Sequence, residues 1–326
     1  MTLKDLAKIA GVSISTVSKA LNDSAEIGQK TKARIHDLAN LYNYQPNNLA
    51  INLKTGKTKT IGVIVPSIQN NFFAKVIIGI EEVLNASNYN IIISITNESQ
   101  EKEVAIVKTL SNGVVDGFLV AVGEETQVNQ HVEHFNYANK RNKPIVLFDR
   151  VIKSLDFNKV IVDDKGIVNS VVKNLVKQDK KAIALVSAIY NLSVGQSRKE
   201  GYLDAIKGQQ EAIVLEANVE DLERELKTLL DNTTVDAIVA ADEDAALLAL
   251  RVAKAKGLSM PRDISIIGFA PTKLAENVSP QLTTINQHGI DIGKKAAQLL
   301  VNKLEDSTLD PQRVIVNSTV EHRETT

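Results

Sequence analysis

Residues 3–22 read LKDLAKIAGVSISTVSKALN and determine what kind of domain begins this 326-residue chain. Apolar residues recur at helical spacing in two short segments, first Leu6, Ile9 and Ala10, then Val17, Ala20 and Leu21. Between them, Gly11 can take the left-handed backbone that ends a helix, Val12 can turn inward, and Ser13 can accept the free amides of the next helix. Because three residues of turn force two helices to cross steeply, the stretch predicts a helix-turn-helix.

The second of these helices presents small and polar side chains to solvent. The exposed positions are Ile14, Ser15, Thr16, Ser18 and Lys19. Side chains of this size can approach base edges and phosphates in the major groove of DNA. Helix pairs with a Gly-Val-Ser turn also occur in proteins that do not contact DNA, so the turn alone leaves both interpretations open.

Charge is distributed unevenly along the chain. Residues 1–57 contain eight Lys and Arg against four Asp and Glu, a net charge of +4, whereas the whole chain has a net charge of −1. The remainder therefore carries −5. A basic N-terminal segment on an acidic body is the electrostatic pattern of a phosphate-binding module, and it favours the DNA-binding interpretation.

The chain resembles the lac repressor family (LacI/GalR type) of bacterial transcription regulators over its full length. The family's N-terminal pattern appears here as Asp5-Leu6-Ala7, Ala10-Gly11-Val12-Ser13, Thr16-Val17-Ser18 and Leu21-Asn22. The resemblance implies a third helix from about Gln29 to Leu41, with Ile35, Leu38 and Ala39 facing inward and with Gly28 in place of the usual capping Ser. It also implies a set of DNA-contacting residues: Thr2, Ser13, Ile14, Ser15, Thr16, Ser18, Lys19, Asn22, Asn47, Ala50, Leu53 and Lys54.

The last four of these residues belong to a segment after Pro46, which stops the first domain. A helix of about eight residues is unstable alone in water. In the family this segment folds when two copies meet in the minor groove and each inserts a leucine, which by motif position is Leu53. Ala50 matches the family's small residue, but Ile51 stands where an Arg is usual and leaves Lys54 and Lys57 to supply positive charge. A plain interdomain linker is the alternative.

The rest of the chain alternates short β-branched runs with amphipathic segments. The runs begin with residues 61–65, 91–95, 117–121 and 145–148 and continue to 264–268. Continuous apolar runs of this length are typical of buried parallel strands. The predicted fold class is therefore a small all-α helix-turn-helix head plus an α/β core of two doubly wound lobes, similar to periplasmic sugar-binding proteins.

Three segments follow from this organisation. We expect a DNA-binding domain at residues 1–45, a hinge helix and linker at 46–59, and an effector-binding and dimerisation core at 60–326. The family topology places the crossings between the two lobes near Val160, Ile285 and Gln312.

Ligands of open α/β sheets bind beyond the carboxyl ends of the strands, so loop residues there are the candidates for an effector site. The resemblance assigns to this cleft Ser67, Phe73, Asp149, Arg198, Asp242, Phe269 and Gln287. Arg198 lies in an Arg-x-x-Gly-aromatic motif, and an arginine fork facing a carboxylate suits a polyhydroxylated or anionic ligand. A salt bridge between the lobes without a ligand role is the alternative for Arg198. A place in the core is the alternative for both Phe72 and Phe73, and for Phe72 it is the expectation.

One departure from the family bears on the effector. Where the family commonly has Gly-Phe-Asp, this chain has Gly268-Phe269-Ala270, and Ala121 offers no polar side chain in another cleft strand. The missing carboxylate often binds sugar hydroxyls in the family. A sugar or related metabolite remains the predicted effector, while a larger or less hydroxylated ligand or a protein corepressor is the alternative.

Enzymatic function is not indicated by any motif. The sequence has no Gly-x-Gly-x-x-Gly, P-loop or His-Glu-x-x-His pattern. His131 and His134 are three residues apart on a predicted helix, a spacing that can chelate a metal, but a solvated helix face is the expectation. We therefore predict no catalytic residue, metal or cofactor.

The composition of the chain indicates where in the cell the protein is located. There is no cysteine and no apolar run of membrane-spanning length, and Lys4 and Asp5 occupy the place of a signal peptide's apolar region. We expect a soluble cytoplasmic bacterial protein without a membrane partner. A solute-binding protein without a regulatory role would need an export signal and no DNA-binding head.

The predicted mechanism is that of a homodimeric regulator that acts as a repressor. Each head reads one half of a near-palindromic operator in double-stranded DNA, because the symmetry of the dimer is matched by that of its site. A small-molecule effector between the lobes changes their relative rotation and so the separation of the paired hinges.

Overall fold

The computed structural model describes residues 1–45 and 56–326. The chain divides into two compact units, Met1–Thr58 and Lys59–Thr326. The hinge predictions for Asn47, Ala50, Leu53 and Lys54 fall on residues outside the described part of the chain.

The N-terminal unit contains three described helices: α1 (Leu3–Ala10), α2 (Ile14–Leu21) and α3 (Gln29–Leu41). Their shared core consists of Leu6, Ala7, Ala10, Val17, Ala20, Ile35 and Ala39, with Val12 and Leu38 partly buried against it. The bounds and inward face of the third helix are as expected, and Gly28 caps it without a side-chain hydrogen bond. Helical spacing was therefore sufficient to predict most of this small core.

Ile9 is an exception, because the sequence analysis placed it on the inward face of α1. Its side chain is 41% exposed, and Ala7 is buried instead. Successive helical residues are rotated by about 100°. The buried side of α1 is centred between Leu6, Ala7 and Ala10, and Ile9 lies on the flank of that side, outside the core cluster of the head.

The second unit contains two six-stranded sheets. The strands are β1 (Thr60–Val65), β2 (Asn90–Ile95), β3 (Gly117–Val120), β4 (Ile145–Phe148), β5 (Asn158–Val162), β6 (Ile183–Ser187), β7 (Ile213–Glu216), β8 (Ala237–Ala240), β9 (Ser265–Gly268), β10 (Thr283–Asn286), β11 (Arg313–Val316) and β12 (Thr319–Glu321). One sheet has the order β11-β5-β4-β3-β1-β2 and the other β12-β10-β9-β8-β6-β7. All pairings are parallel except that of β10 with β12. We call the part built on the first sheet lobe 1 and the part built on the second lobe 2.

Helices cover both sheets, as the doubly wound prediction requires. They are α4 (Asn71–Ala86), α5 (Gln100–Ser111), α6 (Glu124–Asn129), α7 (Glu133–Asn139), α8 (Asp164–Lys177), α9 (Ser193–Ile206), α10 (Val219–Asn232), α11 (Glu243–Ala255), α12 (Thr272–Asn277) and α13 (Gly289–Glu305). Separate apolar clusters lie on the two faces of each sheet. The predicted α/β core is therefore confirmed.

The chain passes between the lobes three times. The passages follow Val162, Asn286 and Val316, where β5, β10 and β11 end. The third passage was expected near Gln312, which is too early. Gln312 instead leads into β11, and its backbone N–H donates to Asn158 Oδ1 at the edge of the first sheet, at 2.7 Å.

Strand β2 is less buried than its run of isoleucines predicts. Among the described strands it is the last at one edge of the first sheet, so none of them covers its outer side. Ile93 is 43% exposed and Ile95 is 36% exposed. The apolar run therefore correctly predicted a strand. The edge position of that strand in the sheet leaves some of its isoleucine side chains exposed.

Glycines bring one helix pair in each lobe into close contact. In lobe 1, a Cβ on Gly79 of α4 would lie 2.0 Å from the carbonyl oxygen of Ile290, in α13. In lobe 2, a Cβ on Gly201 of α9 would lie 2.3 Å from the carbonyl oxygen of Lys165, in α8. Both distances are too short for any side chain, so each crossing requires glycine.

Candidate functional site

The turn between α1 and α2 has the conformation that the sequence predicted. Gly11 has φ of 66°, in the left-handed region, and ends α1. Ser13 precedes α2, and its hydroxyl accepts a hydrogen bond from the backbone N–H of Thr16 at 3.1 Å. These two caps fix where α1 ends and where α2 begins.

Helix α2 exposes most of the predicted DNA-contacting side chains. Ser13, Ile14, Ser15, Lys19 and Asn22 are exposed, and Thr16 and Ser18 are partly buried. Ile14 is 46% exposed although it is apolar. An exposed isoleucine at the start of a helix offers an apolar contact of the kind that a thymine methyl group accepts.

Several of these side chains already have partners. The Ser13 hydroxyl lies 2.8 Å from the hydroxyls of Ser15 and of Thr16, Lys19 forms an ion pair with Glu26, and Asn22 Nδ2 donates to the carbonyl of Ser18. Hydroxyls can redirect their hydrogens, and an exposed ion pair is weak. The side chains of α2 therefore remain available for DNA.

Thr2 caps α1. Its hydroxyl accepts from the N–H of Asp5 at 3.2 Å, and its own N–H and hydroxyl donate to the Asp5 carboxylate at 2.9 and 2.7 Å. These hydrogen bonds lower the pKa of Asp5 below its usual value. The predicted DNA contact of Thr2 thus belongs to a residue that also holds the start of α1.

A cavity lies between the two lobes at the carboxyl ends of their strands. Of the seven predicted effector residues, six line it: Phe73, Asp149, Arg198, Asp242, Phe269 and Gln287. Ser67 does not. It lies in the turn after β1, where its hydroxyl accepts from the N–H of Gln69 at 3.1 Å.

Arg198 is the centre of the lobe 2 wall. Its Nε donates to Asp164 Oδ1 at 2.7 Å, its Nη1 donates to the carbonyl of Ala241, and its guanidinium lies 3.5 Å from the ring centroid of Phe269. Both charged side chains are almost fully buried, at 4% and 6% exposure. The ion pair lies within lobe 2, so the alternative of a bridge between lobes is wrong.

Sequence reasoning missed Asp164, the partner that orients Arg198. No local signal marked it, because an acidic residue in the first turn of a helix is common whether or not it becomes buried. Burial raises the pKa of Asp164, and Arg198 opposes that shift. Asp164 therefore holds the Arg198 guanidinium in a fixed position in the lobe 2 wall of the cavity.

Asp149 faces the cavity from lobe 1. It lies directly after β4, its φ of 56° is left-handed, and it is 7% exposed. Burial, with a smaller contribution from nearby Asp164, raises its pKa to about 6, although Arg150 and Arg198 act in the opposite direction. Its protonation state therefore changes just below neutral pH.

Asp242 has a structural task as well as a place in the wall. One carboxylate oxygen accepts from the N–H of Ala245 at 2.9 Å and caps α11, and the other accepts from the N–H of Ala188 at 2.7 Å. Burial raises its pKa. Since both oxygens are engaged, a ligand hydroxyl would have to share them.

The remaining lobe 1 wall is aromatic and cationic. Phe72 is partly buried: it packs against the lobe 1 core, as expected, and it also lines the cavity beside Phe73. The two rings meet edge to face with centroids 5.3 Å apart, because both lie in the first turn of α4. Arg150 lies 5.4 Å from the centroid of Phe73 and donates to Glu98 Oε1 at 2.6 Å.

The two alanines that depart from the family pattern have different places. Ala270 lines the cavity, so the wall has a methyl group where a carboxylate is common in the family. Ala121 is completely buried and is not part of the lining. Of these two departures, the one at Ala270 is therefore the one that removes a polar group from the cavity wall.

His134 is buried, and the expectation of a solvated helix face is wrong. Its Nε2 lies 2.9 Å from Glu103 Oε1, and both side chains are at most 1% exposed. Glu103 also accepts from the N–H of Gly123 at 2.9 Å. His131 lies before α7 and is exposed, so the two histidines do not share a helix face.

No group of three or more metal-ligating side chains occurs in the part of the chain that the structure describes. Among the same residues, no helix combines the length and apolar character needed to cross a membrane.

Comparisons with known proteins agree with both halves of this architecture. Residues 2–47 match the sequence profile described as bacterial regulatory proteins, lacI family. Residues 172–326 match the periplasmic binding protein-like domain. Catabolite control protein A of Priestia megaterium is 30% identical over 334 residues, which cover all of this chain and 99% of that protein. The chain belongs to the lacI family of bacterial regulatory proteins.

Solved structures of the lacI family share the fold. The Lac repressor dimer bound to operator and the anti-inducer ONPF is 21% identical with a TM-score of 0.87, covering 100% of this chain and 98% of that one. A LacI family transcriptional regulator from Enterococcus faecium with bound ribose is 25% identical with a TM-score of 0.72, covering 82% of this chain and 98% of that one. As a lacI family member, this chain is a DNA-binding transcription regulator, and its curated relatives are regulators too.

Proposed function

We propose that this protein is a homodimeric transcription repressor whose operator binding is controlled by a small polyhydroxylated ligand, such as a sugar or a related metabolite, held between the lobes. The cavity carries this proposal. Arg198 from lobe 2 and Asp149 from lobe 1 line the same space, one as a donor and one as an acceptor.

The walls favour a ligand with both hydroxyl groups and an apolar face. Arg198 uses Nε and Nη1 within lobe 2, which leaves Nη2 without a hydrogen-bond partner among the described residues. Phe72, Phe73 and Phe269 supply apolar surface. A few polar groups on mainly apolar walls are typical of small-molecule sites.

Ala270 narrows the choice of ligand. It offers no acceptor, so the ligand position next to it does not need a hydroxyl, and an apolar or substituted carbon fits there. We infer that the effector has fewer hydroxyl groups on that side than a free hexose.

The DNA-reading surface in this proposal is α2 with the residues around it. Ile14 and Ser15 are exposed at its start, where a recognition helix meets base edges, and Lys19 and Asn22 lie toward its end. The proposal keeps Asn47, Ala50, Leu53 and Lys54 as hinge contacts on the strength of the family pattern.

An apolar surface on lobe 1 supports dimer formation. Ile78 of α4 is 56% exposed, and Ile93 and Ile95 lie on the free edge strand β2. Exposed apolar side chains beside an unpaired strand edge favour association. We propose a second copy of this chain as the occupant, because two heads on one dimer match a near-palindromic operator.

Control by the ligand follows from binding between two bodies that can rotate. A ligand shifts the equilibrium only by its differential affinity for the two lobe arrangements. The proposal includes no enzymatic step, and it places the protein in the bacterial cytoplasm with its DNA.

A thermal-shift screen tests the ligand site. Purified full-length protein is heated with sugars, sugar phosphates, nucleosides and purines, because a ligand that binds only the folded state raises the melting midpoint. A hit should disappear in Asp149→Asn and persist in Glu101→Gln, which alters an exposed carboxylate outside the cavity. A hit that survives Asp149→Asn would contradict the proposed site, and a blank screen of folded protein would favour a protein corepressor.

Selection from random duplex DNA tests the head. The wild-type protein should enrich a near-palindromic sequence, and Ile14→Ala with Ser15→Ala should relax the preference at the bases that α2 reads. Lys30→Ala in α3 is the matched control, since it removes a charge from the head without altering α2. Enrichment of the same sequence by the α2 variant would contradict the assignment.

A further inference from the structure

Helix α6 of lobe 1 reaches lobe 2 through the side chain of Gln127. This side chain is buried, at 7% exposure. Its Nε2 donates to the carbonyl of Val122, in its own lobe, at 3.1 Å. Its Oε1 accepts from the backbone N–H of Ser193, in lobe 2, at 2.9 Å. One amide group thus bonds both lobes.

The bond satisfies a group that lobe 2 leaves without a partner of its own. Ser193 is the first residue of α9, and the residue before it, Leu192, has no side chain that can cap the helix. The first amides of a helix have no intrahelical acceptor. Gln127 therefore serves as the cap of α9 from the opposite lobe, and its removal leaves a partly buried N–H unpaired.

A second and weaker contact runs beside the first. Asn191 Nδ2 donates to Glu124 Oε1 at 3.3 Å, and Asn191 is exposed. Because exposed hydrogen bonds compete with water, we assign the stronger of these two hydrogen bonds to Gln127.

Helix α6 is also tied to the wall of the cavity. Arg150, which lines the cavity, donates to Glu98 Oε1 at 2.6 Å. The other carboxylate oxygen of Glu98 accepts from the N–H of Glu124 at 2.8 Å, and its backbone carbonyl accepts from the N–H of Glu125 at 3.3 Å. Glu98 therefore bonds both the start of α6 and Arg150, a side chain of the cavity wall.

We propose that Gln127 is a positioning residue for effector control, a link that holds the two lobes in the arrangement of this structure. A ligand that moves Arg150 would also move Glu98 and the start of α6, and so would change the position of Gln127. Its effect on the lobe arrangement follows from the contacts alone, while its effect on DNA binding rests on the proposed function.

Interlobe distance is the direct readout. The chain has no cysteine, so Glu101→Cys and Glu220→Cys can be spin-labelled without background. Both residues are exposed, and they lie in α5 and α10, which follow β2 and β7, the strands farthest from the lobe connections. A hinge motion separates these positions most. Dilution with unlabelled protein keeps the measured pairs within one protomer.

Gln127→Met should move the distance distribution of ligand-free, full-length protein toward longer distances. Loss of one buried hydrogen bond corresponds to about a fivefold change in the ratio of open to closed molecules. Gln127→Glu keeps the acceptor for Ser193 but replaces the donor to the Val122 carbonyl with a carboxylate oxygen, so it should restore only part of the wild-type distribution. Gln196→Ala is the control, because Gln196 lies in the same turn of α9 but bonds Tyr190 within lobe 2.

Folding is checked separately by circular dichroism and by the melting midpoint. A merely structural role for Gln127 would lower the midpoint and leave the distance distribution of the folded fraction unchanged, and that result would overturn the proposal. A distribution equally broadened by Gln196→Ala would overturn it too.

The outcomes separate this inference from the proposed function. If distances shift in Gln127→Met but no screened compound binds, the link stands and the small-molecule effector fails. If a hit is found and Gln127→Met changes neither the distances nor the affinity for that compound, the link fails and the effector site stands.

Discussion

The two lobes have the same sheet architecture but build their sides of the cavity differently. In lobe 2, Arg198 is buried, paired with Asp164 and stacked on Phe269. In lobe 1, Arg150 pairs with Glu98, whose side chain is 37% exposed, and Asp149 has a pKa of about 6. Lobe 2 therefore offers a rigid wall, while lobe 1 offers groups whose charge and position respond to their surroundings.

This difference suggests a division of tasks. A rigid wall recognises a ligand without reorganising, which preserves binding energy. A wall joined to α6 through a half-exposed carboxylate can transmit occupancy to the lobe arrangement. The comparison predicts that substitutions in lobe 2 cost stability, whereas substitutions in lobe 1 alter response.

Arg198→Met should have the largest effect on stability. It leaves Asp164 buried without its partner, and breaking a buried ion pair costs about 3 kcal/mol. Urea denaturation of full-length protein at neutral pH measures the free energy of unfolding of the core. Arg198→Met with Asp164→Asn should recover most of the loss. A loss below about 1 kcal/mol for the single variant would mean that the lobe 2 wall is not rigid.

Gly79→Ala and Gly201→Ala should each destabilise the core by about 2 kcal/mol, because overpacking moves helix backbones apart. These changes test whether the lobes are alike in their helix packing although their walls differ. The midpoint of thermal unfolding is the measurement, and Asn85→Ala on the exposed side of α4 is the control. Unequal losses in the two lobes would show that the crossings are not equivalent.

Asp149 should make the core less stable as pH rises. The folded-state pKa of about 6 lies above the unfolded value near 3.8, so the folded state holds its proton longer. Stability from this group is complete below the unfolded pKa and is lost as pH rises through the folded pKa. Between pH 5 and 8 the loss is about 1 kcal/mol.

Asp149→Asn should remove that pH dependence. Urea titrations at pH 5, 6, 7 and 8 compare the slopes of wild type and variant, with Glu101→Gln as an exposed control. Parallel slopes in wild type and Asp149→Asn would contradict a raised pKa. The affinity for a ligand that donates to Asp149 should rise over the same pH range, because the ionised carboxylate accepts more strongly.

Arg150→Met should have the smallest effect on stability, below about 1 kcal/mol, because the Glu98 carboxylate can be hydrated when its partner is lost. Its effect on the interlobe distance should exceed that of Arg198→Met. Denaturation and the spin-label distances, measured on the same samples, decide this. A larger shift for Arg198→Met would reverse the division of tasks between the lobes.

Local features of the sequence predicted the head well. The helix ends at Gly11 and Ser13 are set by backbone freedom and side-chain capping, which act over three or four residues. Ile9 was misplaced because helical spacing gives a face only approximately, and the neighbouring helices decide which flank is covered.

The cavity was predicted in part. Arg198 stands in a motif, and Asp149 and Asp242 lie just after strands β4 and β8, so all three have local signals. Asp164 and Gln127 were missed, because their partners, Arg198 and Ser193, are distant in sequence and come near only when strands and lobes assemble. The same is true of His134, whose partner Glu103 lies on another helix.

The sequence by itself determined the order of helices and strands, the caps of the head and the residue types at the strand ends, because each depends on spacing over a few residues. The tertiary structure decided which charged groups are buried together, which edge strand stays uncovered and which side chain joins the lobes. These depend on distances between residues far apart in the chain, and burial gives a carboxylate such as Asp149 a pKa that no local pattern encodes.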